Sequence, residues 1–254
     1  MKLIFLGTGT STGVPSLCCD CPVCRSDDAR NKRLRSSLLV VEDGHHILID
    51  TSTDLRQQCL LHGVGRIDSV LYTHHHADHV HGIDELRSFS HFNGIRVPCY
   101  GNRATLDELR KNFSYIFRGG VQTGGGLPNL ELLEAPGEGF RLGGVRVLPL
   151  DILHGGLTIL GYRLNDVAYI TDCSGLPDET LDRLAGLDLL ILNAVGFDPH
   201  PTHFCLSDAL KAVEAIRPRQ AFLTHINHKF DHETVSRGLP ENVALAHDGL
   251  CVEF

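Results

Sequence analysis

The run Thr73-His74-His75-His76-Ala77-Asp78-His79 packs four imidazoles and a carboxylate into seven positions, directly after the apolar Val70-Leu71-Tyr72. In extended chain alternate residues share a face, so His74 and His76 point together and His75 points away. Two imidazoles side by side at a strand end suit a metal cation. If the chain then turns into a helix, Asp78 and His79 project from its first turn and reach a second cation a short distance off. His75 is read as a supporting residue and not as a ligand.

Two cations need more donors, and the same rule finds them: a metal-binding side chain where an apolar run stops. His154 follows Val147-Leu148-Pro149-Leu150-Asp151-Ile152-Leu153, Asp172 follows Val167 to Thr171, and His225 follows Ala221-Phe222-Leu223-Thr224. Alone, each reads as an ordinary hydrogen-bonded residue at a strand end. With the first run they complete a set. His74, His76 and His154 would hold one metal, Asp78, His79 and His225 the other, and Asp172 would bridge. Imidazole and carboxylate donors suit zinc, manganese or iron alike, so the pair of divalent ions is not identified further.

A second donor group is made of sulfur. The chain has nine cysteines, and Cys19-Asp20-Cys21-Pro22-Val23-Cys24 places three of them at C-x-C-x-x-C spacing. Thiolates this close suit a closed tetrahedral zinc site, which needs a fourth ligand. Cys18 is too near Cys19 to share that geometry. His228, three residues after His225, is the better candidate, and it would tie the 18–24 loop to the edge where the other metals bind.

The elements that must position these groups alternate in type. Strands are expected at residues 2–6, 37–41, 46–50, 70–73, 145–150, 157–164, 167–171, 189–192 and 221–224. Helices are expected over 53–62, 84–92, 103–112, 178–185 and 207–216, with Ser207 as the cap of the last and Pro218 beyond its end. Val243 to Ala246 and Cys251 to Phe254 read as a closing hairpin around Asp248-Gly249. Strands in two clusters, with helices between and after, suit two sheets packed face to face under outer helices. A chain of 254 residues, 42% apolar and 21% charged, fits one α/β domain with its own core. No apolar run is long enough for a membrane helix. The net charge of −8 argues against a protein that coats nucleic acid. Thiols without a secretory leader point to the cytoplasm. The glycine-rich stretch 119–126 reads equally as a lid or as a surface loop. Gly7, Gly9 and Gly13 miss nucleotide-cradle spacing.

The metal-binding run, followed in order by His154, Asp172 and His225, resembles the metallo-β-lactamase-fold hydrolases along nearly the whole chain. That resemblance implies a four-layer αββα sandwich with a dinuclear site at one edge. The cysteine loop, the Thr224-His225-Ile226-Asn227-His228 run, the opening Gly7 to Pro15 and the Pro201-Thr202-His203 segment narrow it to the PhnP-type phosphodiesterases. What this implies is a phosphodiesterase for a small or cyclic phosphodiester. Its two metals would acidify a shared water, and Asp78 would orient the resulting hydroxide while binding metal. His203 matches a non-ligand His that protonates the leaving group, with His200 as its rival. Arg33 and Arg35 are candidates for a substrate phosphate, or a solvated basic face. The alternatives within the fold are a ribonuclease Z-like nuclease that processes tRNA, which would want a basic arm, and a thioesterase or lactonase. A non-catalytic metal-binding protein is the remaining class. A homodimer is the default assembly.

Overall fold

The computed structural model describes residues 1–118 and 126–253. The glycine-rich stretch therefore lies outside the described residues, except for Gly126. The first half contributes β1 (Lys2–Gly7), α1 (Pro22–Arg25), β2 (Ser37–Glu42), β3 (His45–Ile49), α2 (Leu55–Leu61), β4 (Ser69–Leu71), α3 (Ala77–Val80), α4 (Leu86–Phe92), β5 (Val97–Gly101), α5 (Arg103–Asn112), α6 (Ser114–Phe117) and β6 (Leu130–Glu134). The second contributes β7 (Phe140–Leu142), β8 (Val145–His154), β9 (Leu157–Leu164), β10 (Val167–Ile170), α7 (Asp178–Arg183), β11 (Leu189–Asn193), α8 (Leu206–Ile216), β12 (Gln220–Thr224), α9 (His232–Ser236), β13 (Val243–Leu245) and β14 (Cys251–Glu253).

Among the described residues two seven-stranded sheets result, ordered β14-β1-β2-β3-β4-β5-β6 and β13-β12-β11-β10-β9-β8-β7. Both faces of each are covered, so the central strands are apolar at every position rather than at alternate ones. Leu38 and Val40 of β2 and Ile47 and Ile49 of β3 face the second sheet, where they meet Tyr162, Tyr169, Ile191 and Phe222. Their neighbours Leu39 and Leu48 face outward onto Leu55, Val80, Leu86 and Leu106 of the helical layer. On the other sheet Leu190 and Leu192 face outward onto Ala209 and Val213 of α8. Three apolar layers between four structural layers make the αββα sandwich. Removing one of these fully buried leucines costs about 2–5 kcal/mol in such a core.

The closing hairpin expected from Asp248-Gly249 does not form. β13 pairs in parallel with β12 in one sheet, and β14 pairs antiparallel with β1 in the other. The turn chemistry reverses the chain, but each strand completes a different sheet edge. Helix α8 also starts earlier than expected: Cys205 occupies its N-cap, without a side-chain cap bond, and Ser207 lies inside the first turn. β5, β6 and β7 lie where no strand was expected. The glycines of the opening loop serve close backbone approach. A Cβ at Gly7 would overlap the carbonyl oxygen of Arg35, and Gly9 bridges both Arg35 and Ile226.

Candidate metal centre

The seven His and Asp residues come together at one edge of the sandwich. His74 and His76 follow β4, Asp78 and His79 ride on α3, His154 ends β8, Asp172 follows β10 and His225 follows β12. One donor atom each from His74, His76 and His154 lie within 4.8 Å of one another, as do those from Asp78, His79, Asp172 and His225. His154, Asp172 and His203 form a third such group, which sets Asp172 between the first two. The strand ends are kinked to achieve this. Asp50, Asp172 and His225 have φ values of 62°, 56° and 54°. That left-handed backbone is uncommon for residues with a side chain, and it recurs where strands hand over to functional loops.

Hydrogen bonds select one tautomer for four of the imidazoles. Thr73 Oγ1 donates to Asp50 Oδ2 at 2.8 Å, so at 3.0 Å it accepts from His74 Nδ1. Ser36 Oγ donates to the Gly9 carbonyl and accepts from His225 Nδ1 at 3.2 Å. His79 Nδ1 donates to Asp50 Oδ2 at 2.8 Å, and His154 Nδ1 donates to the Thr202 carbonyl at 2.9 Å. In His74, His154 and His225 the proton is on Nδ1 and the Nε2 lone pair is left for the cluster, while Nε2 of His79 faces the carboxylates of Asp78 and Asp172. Nε2 of His74, His79 and His225 is buried and makes no well-aligned hydrogen bond among the described residues, although Asp172 stands 3.2 Å from the second and 3.4 Å from the third. Buried orphan nitrogens of this kind cost free energy unless a cation takes them up.

The electrostatics make the same case. Burial holds His74 well below its ordinary value, and His225 falls to about 4 for the same reason. Burial also opposes charge on His79, yet Asp172, Asp78 and Asp50 together raise it well above the ordinary range. Asp172 stays ionised against its burial because His225, His79 and a bond from His203 favour the carboxylate. His79 Nε2 lies 3.2 Å from both Asp78 and Asp172. Two carboxylates thus converge on one buried point, and with protein atoms alone they draw a proton onto His79. A divalent cation would answer the same demand, so the donor set fits the metals expected from the sequence.

His203 touches this cluster without belonging to either half. Its Nε2 lies 2.9 Å from Asp172 Oδ1, and its ring stacks on His225 at 5.2 Å. Thr202 Oγ1 at 2.8 Å and His200 Nδ1 at 3.1 Å face its Nδ1. His200 is more exposed, and among the described residues its contacts lead to the cluster through Thr202 and His203. His75 packs on His76 and stays out of both donor groups.

The sulfur donors also converge. His228 Nδ1 lies 3.0, 3.5 and 3.6 Å from Sγ of Cys19, Cys21 and Cys24, and all four donor atoms fall within 4.8 Å of one another. Cys21 is the N-cap of α1, and the Cys24 N–H bonded to its sulfur lowers it to about 6. Burial raises Cys24 to about 11. Cys18, exposed and with φ 62°, takes no part.

Residues 45–226 match the family model described as a beta-lactamase superfamily domain. The chain belongs to this superfamily. A crystal structure described as a new diphosphatase from the PhnP family superposes with a TM-score of 0.93 at 41% identity, covering 100% of this chain and 97% of that one. An octanoyltransferase from Porphyromonas gingivalis is 39% identical over 98% of this chain, which spans only 51% of that longer protein. Coenzyme PQQ synthesis protein B from Methylobacterium radiotolerans is 29% identical over the full length of both. The fold is that of the metallo-β-lactamases, as the sequence motifs implied.

A residue that stands behind the donor groups is easily overlooked in the sequence, and Asp50 is one. It is fully buried and accepts from Thr73 N, Thr73 Oγ1 and His79 Nδ1. It could have been found by the rule that found Asp172, since it too ends an apolar strand. The arginines depart from expectation. Arg33 is buried at 1% exposure, so it neither meets solvent nor reaches a substrate. Arg35 is held by Asp54, 2.9 Å away. Arg33 is not placed to receive a phosphate, and the charge of the partly exposed Arg35 already has a carboxylate partner.

Proposed function

We propose that this superfamily hydrolase cleaves a small phosphodiester, cyclic or linear, with two divalent metals at the His/Asp cluster and a zinc at the thiolates. His74, His76 and His154 would hold one catalytic metal, and Asp78, His79 and His225 the other, with Asp172 shared. Such metals acidify a water and take up charge on a phosphoryl group. The chain's own residues supply the rest. Asp172 puts its charge at the centre of the cluster and receives hydrogen bonds from both sides, from Thr171 at 2.7 Å and His203 at 2.9 Å. Asp78 stands 3.2 Å from His79 Nε2, where a carboxylate orients the nucleophile. His203 holds a proton on Nε2 at the cluster, and Thr202 and His200 fix the ring from behind. Protonated on both nitrogens, the ring would give the Nε2 proton to a leaving alkoxide and keep the one on Nδ1 as a neutral imidazole.

The observation that carries the reading is His203: an imidazole hydrogen-bonded to the shared carboxylate but outside both donor groups. A thiolate leaving group departs without a proton, whereas an alkoxide requires one, so His203 speaks against a thioester; a lactone also expels an alkoxide and is separated only by the substrate panel. The relative that is a PhnP-family diphosphatase supports attack at phosphorus. The test is a substrate panel with manganese, zinc and iron in turn: aryl, linear and cyclic phosphodiesters, a diphosphate diester, a pre-tRNA, a thioester and a lactone. Turnover of small phosphorus esters is expected. Turnover confined to the thioester or lactone would overturn the proposal.

A further inference from the structure

His225 and His228 belong to different metal centres but stand three positions apart on the segment that follows β12. Their side chains must face separate sites, so the conformation of residues 226–230 sets both. Main-chain bonds from Asn227 to Val195 and from Ile226 to Thr8 hold that segment at one side, and one buried side chain holds it at the other. Arg33 Nη2 donates to the Phe230 carbonyl at 2.9 Å and Nη1 to the Asn227 carbonyl at 3.3 Å. Nη2 also donates to Asn31 Oδ1 at 3.1 Å. No carboxylate pairs with this guanidinium among the described residues, and its Nε is buried without a partner. A buried charge with no carboxylate in contact is costly, and Asp248, Asp231 and Asp28 offset the burial of Arg33 only from a distance. Here the charge is spent on two main-chain carbonyls that flank His228.

The backbone of Arg33 reaches the other way. Its N–H donates to Val14 at 2.7 Å and its carbonyl accepts from Val14 N at 2.8 Å. Val14 packs on Val23 and Cys24 of the thiolate loop. On the catalytic side, Ile226 N donates to the Thr8 carbonyl and Thr10 N to the Ile226 carbonyl, in the same loop that Val14 ends. Arg33 thus joins the cysteine loop to the 226–230 segment, and the Ile226 bonds to Thr8 and Thr10 carry the connection on to the strand-end histidine.

We propose that Arg33 is a positioning residue that couples the two metal centres, so that metal at the thiolates tightens metal binding at the position served by His225. The inference rests on both donor groups being metal sites. Linkage makes the coupling reciprocal. A lysine keeps the charge and the backbone pairing with Val14, but it cannot fork between two carbonyls.

The test titrates Mn²⁺ into metal-stripped full-length chain, followed by its electron paramagnetic resonance signal, with and without one equivalent of Zn²⁺ at the thiolates. Mn²⁺ prefers oxygen and nitrogen donors, so it reports the His/Asp cluster. The equivalent lost in His225→Ala identifies the position of interest. Zinc should tighten that equivalent about tenfold in the wild type, and the factor should fall towards one in Arg33→Met and in Arg33→Lys. If the methionine variant does not fold, the zinc dependence of the wild type and the lysine variant decide. A wild type whose manganese affinity ignores zinc overturns the coupling. Lysine or methionine variants that keep the full factor overturn the role of Arg33. A wild type that binds neither metal overturns the metal reading itself, which is a distinct result.

Discussion

The His/Asp cluster draws its donors from the ends of four strands and a short helix, whereas the thiolate cluster takes three of four from a six-residue loop. In the first, Nδ1 of His74, His79, His154 and His225 is bound to a protein atom that fixes ring and tautomer. In the second, the sulfurs meet mainly one another, His228 and single backbone N–H groups. The fold fixes ring and tautomer in one set of donors through neighbouring side chains and carbonyls. It also gathers the other set within 4.8 Å, but a zinc bound there would add a cross-link that the loop otherwise lacks. Damage to the first should therefore abolish chemistry and spare the fold, and damage to the second should do the reverse.

Asp172→Ala is the hardest test of that contrast. The shared carboxylate disappears while the sheets keep their packing, so turnover of an aryl phosphodiester should fall by ~10⁴ or more and at least one metal should be lost. Circular dichroism and the unfolding midpoint should change little. Substantial activity in this variant would remove Asp172 from the shared position. His203→Gln comes next, with a loss of ~10²–10³ in kcat at unchanged metal content. Loss of metal from that variant would make His203 a ligand, which its grouping with His154 and Asp172 also permits.

How much of this was legible depends on where a residue's partners lie. A donor at the end of an apolar run is visible in sequence, because strands in α/β sheets deliver side chains to one edge. That rule reaches His154, Asp172 and His225, and the structure gathers all three beside the first run. Asp50 obeys the same rule, but it ends a strand that reads as one arm of a hairpin, and nothing local marks it as a brace for His79. Arg33 was illegible for a different reason. Its guanidinium answers to carbonyls 194 and 197 positions away, so one residue of a basic run that is otherwise partly or fully solvated is in fact interior. Strand pairing hid in the same manner: β13 and β14 are adjacent in sequence, and only their distant partners assign them to separate sheets.

Two milder substitutions sharpen the contrast. Asp50→Asn replaces one of two oxygens that accept from Thr73 and His79 with an amide that cannot accept. Metal affinity at the His/Asp cluster should drop by ~10–100-fold with the thiolate zinc untouched, measured by competition with a chelating dye. Equal loss at both centres would mean that Asp50 supports the fold rather than the site. Cys21→Ser should do the opposite. One zinc is lost, the unfolding midpoint falls by roughly 5–10 °C and kcat stays within about tenfold. An unchanged melt would count against a metal that organises the loop.

The smallest effect lies under the frame that both regions share. Asp248 accepts from Thr8 Oγ1 and from Leu34 N, each at 2.7 Å, and so joins the opening loop to the segment that carries Ser36. Burial raises its carboxyl to about 7, against the two donors that favour the ionised form. A carboxyl raised in the folded state binds its proton more tightly there than in the unfolded chain. Its contribution to stability is therefore greatest in acid and disappears as pH rises through 7. An asparagine side chain at this position could keep both bonds, its oxygen on Leu34 N and its amide on a Thr8 hydroxyl turned to accept, but it cannot ionise. Between pH 5.5 and 8.5 the stability of Asp248→Asn relative to wild type should improve by about 2 kcal/mol in denaturant unfolding. Other titrating groups, the histidines included, cancel in that difference. A pH-independent difference would mean that Thr8 and Leu34 outweigh burial and keep the carboxylate charged throughout.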